Sequence, residues 1–277
     1  MGLVDKIRIH VRGIGAGDRL RDRAAIAVLV ALRLLTPLWS LLDRIHLRPP
    51  SPLGLVGRYQ IRAGVNRWEV GGVEGAAYLF PGTELGTAYR EIEAELGAGG
   101  GCIDVGASFG WYTVRWARLL GSRGRVLALE PDPRHYPSLL HNVTLNQLPN
   151  VVALLCAAGD HDGPLELFTP AFGLTTFDSS AVHHDGAAIK VQMRTVDNLC
   201  DELSFTDVRM VKVDVEGFEP EVIRGMKRLL ERDHPIVIFE AWTLGALDAC
   251  RAEIPSSYRI RQLNEWDYVA ESHGSAP

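Results

Sequence analysis

From Gly99 onward the chain repeats one unit: a short apolar run that closes on an acid or a glycine, then a stretch with helical periodicity. A helix between consecutive strands returns the chain to its starting edge. Successive strands therefore run parallel, and both faces of the sheet need covering. The spacing predicts strands over Cys102–Val105, Val126–Leu129, Val151–Ala157, Val208–Val213 and Ile236–Phe239. It predicts helices over Trp111–Leu120, Pro133–Leu145, Val196–Leu203, Glu219–Leu230 and Leu244–Ala252. Between Gly163 and Arg194 the rhythm changes, and Leu165–Phe168, Thr175–Asp178 and Ile189–Arg194 read as strands of a β-rich insertion. Tyr258–Leu263 and Asp267–Ala270 read as a hairpin closing one edge. The expected class is α/β: a mostly parallel sheet with helices on both faces and an antiparallel C-terminal hairpin.

The sequence before Gly99 is different. Residues 1–50 are basic and then apolar, with Arg19, Arg21, Arg23 and Arg33 around the run Ala24–Leu42. Arg33 and Pro37 argue against a bilayer span and against a cleavable leader. A helical segment lying on an anionic membrane surface through residues 19–47 is the expectation, with Trp39 at the interface. Packing on the domain or on a second copy, as a homo-oligomer, is the alternative. Pro49-Pro50-Ser51-Pro52 reads as a stiff linker. Residues 51–98 form a glycine-rich lead-in with short strands at Arg58–Ile61, Trp68–Val70 and Ala76–Phe80, then a helix over Thr87–Leu96. The strand–helix repeat occupies 99–271 as one domain, and a polar tail, 272–277, is expected to be disordered.

Composition removes several classes. The net charge of −5 gives no bulk attraction to nucleic acid. Cys102, Cys156, Cys200 and Cys250 lack the paired spacing of a zinc ribbon. They read as small buried hydrophobes of a reducing, cytoplasmic compartment, with peripheral membrane contact through the N-terminal segment.

The chemistry lies at the strand ends. Asp104-Val105-Gly106-Ala107-Ser108-Phe109-Gly110 leaves a strand, turns on glycine and enters a helix. Such a turn holds a dinucleotide, S-adenosylmethionine, or nothing. A dinucleotide site wants Gly-x-Gly-x-x-Gly to bring pyrophosphate onto the helix N-terminus. Here the spacing is Gly-x-x-x-Gly, and Asp104 would repel phosphate but suit a cationic ligand. No Gly-Lys-Ser/Thr follows, which excludes a P-loop. Glu130, ending the next strand before Pro131, is placed to take the hydroxyls of a ribose. Asp214, Glu216 and Glu240 end two further strands on the same sheet edge, and carboxylates converging there mark a candidate site. Lys212 is expected to reach one of these acids, and Asp197 to cap the helix it begins. Trp111 and Tyr112 either flank an acceptor or pack in the core.

Four strings, Ile103–Thr113, Leu129-Glu130-Pro131, Arg194–Leu199 and Val211–Glu219, together resemble the FkbM-type methyltransferases in order and distance. The resemblance runs from about Thr87 to Trp242. It implies a class I, Rossmann-like methyltransferase fold, S-adenosylmethionine as cofactor, and most often O-methylation of sugars or natural products. By position, Asp104, Gly106, Ala107, Ser108 and Phe109 would line the methionine end of the cofactor, with Gly110 at the helix entrance. Glu130 would hold the ribose and Asp160 would reach the adenine side; a plain turn acid is the other reading of Asp160.

The acceptor would be a sugar, a glycolipid or another small molecule. Glu216 is the first candidate for the base that takes its proton, followed by Asp214, Glu240 and the pair His183-His184. Glu216 is alternatively a ligand, with Asp214 or Glu240, of a divalent cation, or a carboxylate that only caps its loop. N-methylation, and methylation of a polyketide-like product, stay open. An NAD-dependent oxidoreductase and a non-catalytic membrane-associated scaffold are the rivals from other classes. The glycine spacing opposes the first, and the intact strand-end acids oppose the second.

Overall fold

A computed structural model describes residues 19–34, 58–63, 65–70, 88–94, 96–97, 99–169 and 187–272. The predicted strands Ala76–Phe80 and Thr175–Asp178, the proline linker and the His183-His184 pair lie outside the described residues. The chain divides into two units, Met1–Arg90 and Glu91–Pro277.

In the first unit, α1 (Leu20–Leu34) accompanies a hairpin of β1 (Tyr59–Ala63) and β2 (Asn66–Val70). Asp22 and Ile26 form the inward face of α1. Asp22 is buried and accepts from the backbone N–H of Gln60 at 3.1 Å and of Arg19 at 2.9 Å. Tyr59, Ile61, Trp68 and Val70 are buried in the hairpin. No helix among the described residues is long and apolar enough to cross a membrane. Helix α2 (Ala88–Glu93) spans the division between the units and is shorter than the predicted Thr87–Leu96.

The second unit is built on a seven-stranded sheet in the order β11-β12-β10-β9-β3-β4-β5. Its strands are β3 (Gly100–Val105), β4 (Gly124–Leu129), β5 (Val151–Leu154), β9 (Val208–Val213), β10 (Ile236–Glu240), β11 (Tyr258–Gln262) and β12 (Asp267–Ser272). The five strands β5, β4, β3, β9 and β10 are parallel, and β12 and β11 close one edge antiparallel. Chain order runs outward from β3 to β5 on one side and from β9 to β10 on the other. The order reverses between β3 and β9, and ligands in such sheets bind in the crevice opened there. The central strands are predominantly apolar because both faces are covered. Ile103, Val105, Leu127, Leu129, Val211, Val213, Val237 and Phe239 are all buried, each worth about 1.5–3 kcal/mol over an exposed position.

The covering helices are α3 (Trp111–Leu120), α4 (Tyr136–Leu145), α5 (Val196–Glu202), α6 (Glu219–Arg224), α7 (Lys227–Asp233) and α8 (Leu244–Glu253). Three elements depart from the sequence expectation. The predicted strand Val151–Ala157 breaks at Leu155. Ala157–Ala158 (β6) instead joins β7 (Gly163–Thr169) and β8 (Ala187–Arg194) in a second sheet, in the order β6-β8-β7. The predicted helix Glu219–Leu230 splits at Gly225, where a Cβ would come within 1.9 Å of the Gly159 carbonyl oxygen. The helix expected from Pro133 begins at Tyr136, because Asp132 first forms a turn with the Arg134 backbone N–H and guanidinium. The strand β12 also extends through Ser272, which pairs with Tyr258.

Asp197 caps a helix other than its own. Thr195 is the N-cap of α5, accepting from Asn198 N–H at 3.1 Å. The Asp197 carboxylate accepts from the backbone N–H groups of Arg228 at 3.0 Å and Leu229 at 2.9 Å, at the start of α7. As the second residue of α5, Asp197 is past the N-cap position, and it faces the first N–H groups of the neighbouring helix. The four cysteines are buried thiols without disulfides.

Candidate active site

The loop after β3 is braced from inside. Gly106 N–H and Ala107 N–H both donate to the Leu129 carbonyl at 3.0 Å, and Gly110 N–H donates to the Ala107 carbonyl at 2.8 Å. Ser108 N–H donates to Glu130 Oε2 at 2.7 Å. Ser108 has φ 50°, a left-handed conformation that non-glycine residues rarely adopt. Gly110, at φ 86°, is the N-cap of α3 and makes no side-chain cap. A pyrophosphate site needs such N–H groups turned outward toward the anion. Here four of them are spent on the protein's own acceptors, and the carboxylates of Glu130 and Asp104 stand beside the loop. The arrangement opposes an anion and suits a cation.

Glu130 is buried and uses both oxygens. Oε2 takes Ser108 N–H and Oε1 takes Asp132 N–H at 2.8 Å. Burial pushes its carboxyl up to about 7 against those hydrogen bonds. It ties the loop after β3 to the end of β4, a bracing role the sequence reading did not assign. Each oxygen keeps a second lone pair for a hydroxyl donor.

Asp104 lies beneath the loop. Thr113 Oγ1 donates to its Oδ2 at 2.5 Å, while Oδ1 is buried without a hydrogen-bond partner. Burial raises its carboxyl, with Lys212 opposing. Phe109 and Ala107 are buried, so they reach a ligand chiefly through the shape of the loop. Tyr112 is also buried and packs between Trp116, 5.6 Å between ring centroids, and the Lys212 ammonium, 5.2 Å from its ring. It is therefore a core residue rather than a flank of the acceptor.

Across the crevice stand three acids. Asp214, Glu216 and Glu240 bring carboxylate oxygens within 4.8 Å of one another. Buried Lys212 donates to Asp214 Oδ2 at 2.8 Å and brings a positive charge to this group. Burial pushes the Glu216 carboxyl up to about 8, with Asp214 and then Glu240 adding like charge. Glu240 is raised in the same direction by burial and by Asp214, while a hydrogen bond from Trp242 opposes. Glu216 is held at φ 56°, followed by Gly217 at φ 102°. Glu219 explains how that conformation persists. Its buried carboxylate accepts from Val215 N–H at 3.0 Å and Gly217 N–H at 3.1 Å, one on each side of Glu216. The sequence reading quoted Glu219 without giving it a role; a buried acid opening a helix just after a turn was the available signal.

Asp160 is not brought to this group by any contact it makes. It pairs with His161 at 2.7 Å and with Arg224 Nη1 at 2.8 Å, and Arg224 also binds Glu253. Its carboxyl is held low by His161 first. These contacts fit the turn-acid reading.

A family model described as the methyltransferase FkbM domain matches residues 104–269, more than half of the chain. The chain belongs to this family. The match spans the loop after β3 and the acid loop after β9, and it reaches into β12 of the C-terminal hairpin. Methyltransferase 1 of Beauveria bassiana (strain ARSEF 2860) is 27% identical over 143 residues. That alignment covers 45% of this chain and 57% of the relative. The crystal structure of methyltransferase FkbM from Methylobacillus flagellatus KT superposes with a TM-score of 0.50 at 14% identity, covering 98% of this chain and 60% of that one. The chain thus spans less than two thirds of the length of both. The solved structure shows the fold, a Rossmann-like arrangement in which the mostly parallel sheet carries an antiparallel edge.

Proposed function

We propose that this FkbM protein is an S-adenosylmethionine-dependent methyltransferase acting on a hydroxyl of a sugar, glycolipid or natural product. The observation that carries the reading is the facing of two loops across the crevice between β3 and β9. One has its N–H donors turned inward beside carboxylates, and the other presents Asp214, Glu216 and Glu240. The residues fit the cofactor. The unpartnered Asp104 Oδ1 and the inward donors suit its cationic amino-acid end, and Glu130 retains lone pairs for its ribose.

When bound, S-adenosylmethionine supplies an activated methyl whose leaving group is a neutral thioether. The chain's own work is to hold an acceptor oxygen in line and to take its proton. Glu216 is the proposed base. A carboxylate titrating near 8 binds a hydroxyl proton far better than an ordinary one, while remaining partly ionised near neutrality. The proton of the acceptor goes to Glu216 as the new carbon–oxygen bond forms. Asp214, fixed by Lys212, and Glu240 keep the Glu216 proton affinity high.

The 4.8 Å spacing of the three acids would also accept a divalent cation. The Lys212 ammonium on Asp214 favours the base reading, since it already supplies positive charge there. Titration calorimetry with S-adenosylmethionine and with NAD tests the cofactor. Micromolar binding of the first and none of the second is expected; the reverse sinks the proposal. We further propose that α1, with Arg21 and Arg23 exposed beside exposed Leu20 and Val28, contacts an anionic membrane surface.

A further inference from the structure

Two tryptophans stand at the mouth of the acid group. Trp242 follows β10 directly after Glu240 and Ala241, and Trp266 precedes β12. Because Glu240 pairs with Asp267 across the antiparallel β10–β12 ladder, both indoles lie on the carboxyl edge of the sheet that carries Glu216. Their ring centroids are 6.0 Å apart with planes at 39°. Trp242 is 57% and Trp266 44% exposed, whereas Trp68 and Trp116 are fully buried.

The backbones beneath them are rigid. Ala241 N–H donates to the Trp266 carbonyl at 2.8 Å. Asn264 Oδ1 accepts from Trp266 N–H at 2.9 Å and Asp267 N–H at 2.8 Å, and Asn264 Nδ2 donates to Asp267 Oδ2 at 2.6 Å. Thr243 caps α8 by accepting from Ala246 N–H at 3.1 Å, which fixes the link carrying Trp242. Exposing two large indoles costs hydrophobic stabilisation that burial would recover. Holding them out on braced turns is what a pre-formed recognition surface requires. Trp242 lies two residues beyond Glu240 in the chain, so the aromatic surface adjoins the acids.

We propose that Trp242 and Trp266 form the acceptor subsite and take the apolar face of a saturated, hydroxylated ring such as a pyranose. The C–H face of such a ring carries partial positive charge and lies against the negative face of an indole. Its edge hydroxyls then meet carboxylates that accept hydrogen bonds, with Glu240 nearest the platform and Glu216 beyond it. A cationic acceptor fits less well. Lys212 offsets charge at Asp214, and the raised carboxyls of Glu216 and Glu240 weaken the pull of the group on a cation. This subsite rests on the methyltransferase reading above.

The test uses saturation-transfer NMR on the full chain loaded with S-adenosylhomocysteine, with the methyl α-glycosides of glucose, mannose and rhamnose as probes. Transfer to ring C–H protons of at least one glycoside is expected. It should fall at least five-fold in the W242A/W266A double variant and be retained in W242F/W266F. Calorimetry with S-adenosylhomocysteine accompanies each sample. A protein that binds the nucleoside but gives no transfer to any glycoside, or equal transfer in the alanine variant, overturns the subsite alone. A wild-type protein that binds neither S-adenosylmethionine nor S-adenosylhomocysteine overturns the methyltransferase reading and the subsite with it. Loss of nucleoside binding in the alanine variant but not in wild type shows that the indoles support the fold, and overturns the subsite as well.

Discussion

Gly106 lies against the main chain of Asp214: a Cβ at Gly106 would fall 1.8 Å from the Asp214 carbonyl oxygen. The loop after β3, proposed above to hold the cofactor, and the loop that carries the acids are therefore in backbone contact, and only glycine permits it. Gly106 also has φ 77°, where a side chain is strained in any surroundings. Gly106→Ala is expected to separate the loops and lower S-adenosylmethionine affinity at least 100-fold by calorimetry. Gly121→Ala isolates the backbone term, since Gly121 has φ 65° but no atom within 4 Å of its virtual Cβ. It should lower Tm while leaving affinity within about two-fold.

Glu216 links catalysis to pH. Acting as a base, it works when ionised, so methyl transfer should rise with pH and level off above about 8. Glu216→Gln should cut kcat at least 100-fold, remove that limb and leave cofactor affinity nearly unchanged. Stability moves the other way. The folded carboxyl titrates near 8 and the unfolded one near 4.5, so between these values the folded state holds a proton that the unfolded state has released. Stability therefore falls as pH rises through this window. The Tm of E216Q should gain on wild type from pH 5 to 8, and the difference should then stay constant. A Tm difference that shrinks with rising pH would contradict the raised carboxyl.

Glu219 is a positioning residue. Its carboxylate holds the N–H groups on both sides of Glu216 in a loop with two consecutive residues at positive φ. Glu219→Ala should free that loop, lower kcat 10- to 100-fold and leave calorimetric affinity for S-adenosylmethionine within about three-fold. Glu219→Gln keeps one acceptor and should recover part of the rate. The pH limb should also shift toward ordinary carboxylate values in E219A, because a relaxed Glu216 regains water; a purely structural role would lower Tm without moving that limb.

The ends of β4 and β9 were legible because a predominantly apolar run stops at an acid followed by proline or, within three residues, glycine. Trp111–Leu120 and Val208–Val213 match the sequence expectation residue for residue. What was not legible depends on contacts distant in sequence. The break at Gly225 follows from the Gly159 carbonyl pressed against it, and nothing local to a run of good helix formers announces that. The Asp104–Thr113 and Ser108–Glu130 bonds likewise join residues 9 and 22 positions apart. Trp266 had a readable signal that was passed over: an indole in a hairpin turn, where small polar residues are usual.

Asp197 anchors α5 to α7 by accepting two backbone N–H groups at the α7 start. Asp197→Ala should cost about 1–2 kcal/mol, seen as a Tm lower by about 2–8 °C for a domain of this size. Methyl transfer at 25 °C should be unchanged, since the cap touches neither loop of the site. Asp197→Asn keeps an acceptor and should restore most of the loss.

The exposed face of α1 makes the membrane proposal measurable. Asp22 and Ile26 are buried on one side, leaving Arg21 and Arg23 exposed with Leu20 and Val28. Arg21 Nε lies 3.7 Å from Asp22 Oδ1, so a Tm measured beside the partition separates loss of that ion pair from loss of surface charge. Near an anionic surface each arginine is worth about 1 kcal/mol, so R21E/R23E should lower the partition coefficient onto vesicles of phosphatidylserine and phosphatidylcholine at least ten-fold. Binding of the wild-type chain should also weaken as salt rises from 50 to 300 mM, because the attraction acts over a Debye length of about 10 Å at 0.1 M. Partition that is equal in the two proteins and indifferent to salt would remove the membrane from the account and leave α1 as a helix that serves only its hairpin.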